Sequence, residues 1–343
     1  MKALVLAKPN QLVLKQIEKP RPKEDEVLVR VKACAICGSD VHGLDDSTGR
    51  RHPPIVMGHE ASGIVEEAGA AAADFRSGER VVFNSTLFCG TCHYCRRGLQ
   101  NMCVNGRVFG VSSDSYRLQG AMAEYIAVPA RILHRLPAAV SFEQAALVEP
   151  VSIALHAIAS VCVSLDDAAV VFGAGTIGIL LVKLLALSSC GKVIAVDIDD
   201  GKLEFAAKNG ADHTFNPSAV DLQARILECT GGQGAEVAFE AVGVPATLKA
   251  GIECLRKTGS LVLLGNLTPT VDVPVQRLVL KQLKLIGSYA FANEAETSLK
   301  LLASGSVTVD DLISAVAPLE DGPRMFERLR SGEKGLRKVV LTP

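Results

Sequence analysis

The residues Val170–Val171–Phe172–Gly173–Ala174–Gly175–Thr176–Ile177–Gly178 decide the fold, and an apolar run continues from them to Leu187. The glycines keep the spacing G-x-G-x-x-G, with a strand-like run before them and a helical run after. In that setting Gly173 permits the tight turn, Gly175 lets a pyrophosphate approach the backbone, and Gly178 lets the helix pack closely. The helix is read over Ile177–Leu187, with Thr176 just ahead of it, and its N-terminus faces the phosphates. Asp197 closes the next apolar run, 19 residues past Gly178. A carboxylate there accepts hydrogen bonds from both ribose hydroxyls of NAD and repels the additional phosphate of NADP. NAD is therefore the expected cofactor, ahead of NADP.

Outward from this turn the pattern repeats. Lys192–Val196 reads as a strand and Lys202–Asn209 as a helix closed by Gly210. Glu236–Ala241, Ser260–Leu264 and Leu283–Ile286 are further strands. Such alternation predicts an α/β domain, a doubly wound parallel sheet with helices on both faces. Upstream the chain reads as β with turns. In Glu26–Cys34, Val27, Val29 and Val31 fall on one face and Arg30 and Lys32 on the other. Ala61–Glu67 and Arg80–Phe83 are further strands, and Ala70–Ala73 reads as a surface turn. The character changes near Pro150 and again near 288, and the last apolar run is Leu336–Leu341.

A length of 343 residues suits two domains. Lys and Arg number 36 against 37 Asp and Glu. That balance gives no whole-chain electrostatic reason to expect nucleic acid or an anionic membrane as partner. Apolar residues make up 48%, enough for full cores, so a largely disordered chain is excluded. Trp is absent, so those cores are built mostly from aliphatic side chains. Glu149 and His156 interrupt Gln144–Leu165, and glycines with Lys183 interrupt Ala168–Leu187, so no transmembrane helix is expected. The first residues form too short an apolar run for a signal peptide, and a cytoplasmic protein is expected. In such a chain the ten cysteines point to metal or redox chemistry rather than to disulfides.

Four of them follow Cys89–x2–Cys92–x2–Cys95–x7–Cys103. Four thiolates within 15 residues can close a tetrahedral shell around Zn²⁺, with Gly90 and Gly98 turning the backbone. No position is left for water, so this is a structural site, and His93 inside it is a surface residue. A second constellation is dispersed: Cys37–Gly38–Ser39–Asp40–Val41–His42, then Gly58–His59–Glu60, then Glu149–Pro150. One thiolate, one imidazole and one or two carboxylates make the mixed, incomplete shell that a catalytic zinc requires.

Taken together, Cys37–Gly38–Ser39–Asp40, Gly58–His59–Glu60, the four-cysteine lobe, Glu149–Pro150 and the Gly173–Gly178 turn resemble the zinc-dependent medium-chain dehydrogenases over nearly the whole chain. The polyol branch, with sorbitol and galactitol-1-phosphate dehydrogenases, is the most similar, and threonine dehydrogenases are close relatives. The resemblance implies a GroES-like β-rich catalytic domain at 1–150 and 289–343, with the structural zinc lobe at 89–103. A Rossmann NAD-binding domain would occupy 151–288. It also implies a homodimer or homotetramer acting on a small-molecule polyol.

Residue by residue, the resemblance makes Cys37, His59 and Glu60 zinc ligands, and Glu149 either a ligand or the holder of the zinc water. Asp40 would orient His59, Ser39 would contact the substrate hydroxyl, and His42 would pass its proton to solvent. Lys202 would lie near the adenosine ribose. The reaction implied is hydride transfer from a secondary alcohol of a sugar alcohol, cyclitol or polyol phosphate to NAD, giving a ketone. Amino-alcohol oxidation is the rival enzymatic reading, and a non-catalytic cofactor-binding or structural protein the rival of another class. Gly287–Ser288–Tyr289–Ala290–Phe291 lacks the Arg–Tyr pair of sorbitol dehydrogenases and is more similar to the galactitol-phosphate branch. Arg50–Arg51–His52 reads either as a solvated turn or as a pair of guanidinium groups for a phosphate on the substrate.

Overall fold

The structure, a computed structural model, describes residues 1–188 and 190–343. It divides into two compact units, Met1–Glu149 with Phe291–Pro343, and Pro150–Ala290.

The unit Pro150–Ala290 is built on a six-stranded parallel sheet. Its strands lie in the order His213–Phe215, Lys192–Val196, Ala168–Phe172, Ala235–Glu240, Leu255–Leu263, Lys284–Gly287. The first strand in sequence lies centrally, and the order reverses there, as in doubly wound dinucleotide-binding sheets. Ala168–Phe172 is buried at every residue because helices cover both of its faces. Val170, Phe172, Ile194, Ile252 and Leu261 share its core. Asp199 and Asp221 start helices Asp200–Lys208 and Leu222–Cys229 by accepting from the N–H groups of Lys202 and Ala224, each at 3.1 Å.

The other unit is mostly β. A seven-stranded sheet contains Leu133–Arg135, Arg80–Phe83, Glu60–Ala68, Glu26–Ala35, Lys338–Thr342 and Ile313–Pro318 in that order, with Tyr125–Pro129 also pairing Glu26–Ala35. Val27, Val29 and Val31 face the core and Arg30 faces solvent, as the alternation requires. The run Ala70–Ala72 is a 3-10 turn, not a surface turn throughout, because Ala72 points into this core. Two pairings place the site. Ala35 sits opposite Glu60, and on its other side Val340 sits opposite Ala35. The segments just beyond those residues therefore meet at one end of the sheet. Among the described residues, no helix is long and apolar enough to cross a membrane.

Candidate metal centre and dinucleotide turn

Strand Ala168–Phe172 ends at Gly173, whose φ of +93° suits glycine. A Cβ at Gly173 would lie 2.6 Å from Val242 Cγ2, and one at Gly178 would collide with the Gly173 carbonyl. At Gly175 a Cβ would meet nothing within 4 Å, so that face stays clear for a ligand. Helix Thr176–Leu187 begins here with no side-chain cap, leaving its first N–H groups for phosphate. Asp197 lies at the end of the neighbouring strand. One carboxylate oxygen accepts from Ala174 N at 2.8 Å and the other from Asp199 N at 3.0 Å. The acid is thus fixed against the glycine turn. Lys202 is exposed on helix Asp200–Lys208.

In the other unit, Cys37 follows strand Glu26–Ala35 and caps the short helix Gly38–His42, while His59 and Glu60 open the facing strand. The sulfur of Cys37, a ring nitrogen of His59 and a carboxylate oxygen of Glu60 lie within 4.8 Å of one another. His59 and Glu60 are buried at 6% and 1% exposure, which selects for paired charges. Gly58, at φ +95°, admits this packing: a Cβ there would lie 2.7 Å from Cys34 Sγ.

Asp40 is fully buried behind the trio. Its Oδ1 lies 3.5 Å from His59 Nδ1 and accepts from Arg51 Nη2 at 2.8 Å, and its Oδ2 accepts from Cys37 N at 3.3 Å. Burial alone would push the Asp40 carboxyl up, but His59 and Arg51 outweigh it and hold it well below the usual carboxylate range. Burial works against a charged His59, yet Asp40 and Cys37 hold its pKa well above the ordinary value. Cys37 and Asp40 together thus favour a positive charge at this point. A divalent cation would supply one.

Glu60 Oε1 accepts from Lys338 Nζ at 2.8 Å; Oε2 lies 2.6 Å from the same ammonium but receives no hydrogen bond of proper angle. A buried carboxylate oxygen left this way is a fitting metal donor. Glu149, in the first turn of helix Val148–Ala159, stands outside the trio. Its Oε1 accepts from Ser85 Oγ at 3.0 Å, and burial pushes its pKa up to about 7, with Glu60 adding to the shift and His59 opposing it. Ser39 and His42 are exposed on helix Gly38–His42.

The sulfurs of Cys89, Cys92, Cys95 and Cys103 also converge within 4.8 Å, and no disulfide links the described cysteines. Gly90 and Gly98 both adopt φ of +78°, the turns this lobe needs. The Cys92 N–H donates to Cys89 Sγ, and the Cys89 N–H to Cys103 Sγ, each at 3.3 Å. Donors at Thr91 and Cys92 push the Cys89 thiol down to about 5, toward the thiolate that metals bind. The donor set fits a structural zinc, and His93 is exposed beside it.

The arginine run departs from both readings given to it. Arg51 is 3% exposed and bonded to Asp40, so it neither lies in a solvated turn nor offers a guanidinium to a substrate phosphate. His52 is held between Asp46 at 2.7 Å and Asp114 at 3.2 Å. Arg50 alone is exposed. Sequence reasoning also missed Lys338, Ser85 and the role of Arg51. Lys338 carried one usable signal, a charge at the start of an apolar strand that ends the chain.

Over most of its length the chain is similar to known proteins. Residues 23–138 match the alcohol dehydrogenase GroES-like domain, and residues 176–304 the zinc-binding dehydrogenase family. D-xylulose reductase A of Aspergillus niger is 32% identical over 92% of this chain and 89% of its own length. The structure of galactitol-1-phosphate dehydrogenase from Escherichia coli superposes with a TM-score of 0.90 at 28% identity, covering all of both chains. A candidate zinc-binding dehydrogenase from Sinorhizobium meliloti 1021, bound to NADP, does so with a TM-score of 0.91 at 29% identity, covering 100% of this chain and 99% of its own.

Proposed function

The chain belongs to the zinc-dependent medium-chain dehydrogenases, GroES-like and Rossmann in fold, and from that premise we propose that it oxidises a secondary alcohol of a polyol to a ketone with NAD. The observation that carries the reading is the buried trio Cys37, His59 and Glu60. One thiolate, one imidazole and one carboxylate are the donors of a catalytic zinc, which also takes water or substrate. The 32% identity to a D-xylulose reductase supports the polyol class.

When bound, zinc supplies a Lewis acid for a hydroxyl oxygen, and NAD supplies a hydride acceptor. The residues of the chain do the rest. Cys37, His59 and Glu60 hold the metal, and Glu149 either joins them or positions the water beside them. The Ser39 hydroxyl takes the proton that the substrate hydroxyl gives up, and His42 passes it to solvent. Gly173, Gly175, Thr176, Ile177 and Gly178 cradle the pyrophosphate, Asp197 binds the adenosine ribose, and Lys202 flanks it. Cys89, Cys92, Cys95 and Cys103 hold the structural zinc.

With Arg51 committed to Asp40, a neutral polyol is favoured over its phosphate. We extend the reading to a cytoplasmic homodimer or homotetramer, for which exposed Val275, Val279 and Leu280 offer an apolar contact. The test is NAD reduction with a panel of neutral polyols, their phosphates and L-threonine. Turnover of a neutral secondary polyol is expected. Turnover of threonine alone would move the protein to the amino-alcohol reading, and no turnover with any alcohol to the non-catalytic one.

A further inference from the structure

Arg51 makes an interaction that general stability does not explain. Its backbone is pinned on both sides of the chain: Ser112 N donates to Arg50 O at 3.1 Å, and His52 N donates to Ser112 O at 3.0 Å. Its side chain then runs inward past Gly43, where a Cβ would lie 2.6 Å from Arg51 Cγ, so a side chain at position 43 would block the route. At its end Nη2 donates to Asp40 Oδ1 at 2.8 Å and Nη1 to Arg50 O at 3.0 Å, while the buried Nε has no acceptor. Removing a guanidinium and a carboxylate from water costs much of what their attraction returns, and the bare Nε adds to that cost. A well-packed apolar pair would serve stability as well.

What the pair does uniquely is fix Asp40. Oδ1 lies between Arg51 and His59, and Oδ2 accepts from the N–H of Cys37. A single carboxylate thus stands 3.5 Å from the ring of one candidate zinc ligand and accepts from the backbone N–H of another. Without the Arg51 guanidinium on its far side, this fully buried carboxylate would be free to rotate away from the His59 ring.

We propose that Arg51 is a positioning residue of the catalytic metal centre, acting through Asp40 to hold His59 and Cys37 in the geometry that binds zinc. The inference rests on the zinc reading of Cys37, His59 and Glu60, and its test separates the two. Zinc release to a colorimetric chelator is followed on the purified protein. The unmodified protein should show a fast phase from the Cys37 site and a slow phase from the four-cysteine lobe.

Arg51→Met should speed the fast phase about tenfold or more, in line with the loss on removing an outer partner of a metal ligand, and leave the slow phase alone. It should also shift the visible absorption of protein exchanged with cobalt at the fast site. Asp40→Asn should do the same, and the double variant should release zinc no faster than Asp40→Asn, because both act on one linkage. Arg51→Lys, which keeps the charge but not the fork, should lie between.

A fast phase unchanged by Arg51→Met overturns the inference alone, as do additive effects in the double variant or equal acceleration of both phases. Should Arg51→Met yield no soluble protein, Arg51→Lys decides, and an unchanged fast phase there overturns it equally. An unmodified protein with only the slow phase overturns the zinc reading and this inference together.

Discussion

At the scale of single residues, the proposed function assigns cofactor choice and proton flow to two side chains. Asp197 accepts one backbone hydrogen bond from Ala174 and one from Asp199, so its charge is fixed against the glycine turn, where the proposed function puts the ribose. A 2′-phosphate there would meet that charge. The expected outcome is an NAD preference of at least about tenfold in kcat/KM, with Asp197→Ala narrowing the gap mainly by weakening NAD. Steady-state kinetics with both cofactors check this, and NADP preferred by the unmodified protein would refute the role. His42 is exposed about one helical turn from Ser39. His42→Ala should lower alcohol oxidation mainly below about pH 8, where hydroxide is scarce. A pH–rate profile that the substitution leaves unchanged removes His42 from the proton path.

At the scale of elements, the loop that carries Arg51 is clasped by His52, whose ring reaches Asp46 on one side and Asp114 on the other. The hydrogen bond to Asp46 raises the His52 pKa, although partial burial opposes it. A pKa raised by folding adds stability that is complete below the unfolded value of about 6.5 and is lost as pH rises through the folded value. The Tm deficit of His52→Ala should therefore be widest near pH 6 and shrink toward about pH 9. A deficit that grows with pH would show that the clasp works without the charge.

What was legible in sequence follows from the same elements. The glycine turn and the four-cysteine lobe are local: their spacing nearly fixes their geometry, because only short backbone paths join the residues. The trio Cys37, His59 and Glu60 converges through strand pairing, with Ala35 opposite Glu60, and no local pattern states that register. Arg51 and Lys338 were less legible still. Each is a charged residue whose burial depends on one distant carboxylate, and in sequence such a residue looks like a solvated one.

At the scale of the whole molecule, the question is what covers helix Val275–Lys281. Val275, Val279 and Leu280 are exposed at 63%, 68% and 71%. Val275 and Val279 lie at i and i+4 on one face of this short helix, and Leu280 stands about 100° round the helix from Val279. Among the described residues, strand Lys284–Gly287 pairs with Leu255–Leu263 on one side only, so it is the edge of its sheet. Exposed apolar side chains and a free strand edge are both surfaces that monomers seldom leave uncovered. In the homo-oligomer proposed above a second copy of the chain would cover them, since a two-fold contact sets the same surface against itself. The unmodified protein should therefore run at two or four times the 36.2 kDa chain mass in light scattering. Replacing Val279 and Leu280 together by Asp should place like charges across that contact and shift the protein toward the single-chain mass at micromolar concentration. Zinc content and the far-ultraviolet spectrum should stay unchanged, which separates lost assembly from lost folding. An unmodified protein that already runs as a single chain would leave these side chains without a second copy, and an assembly indifferent to both aspartates would place the contact elsewhere on the surface.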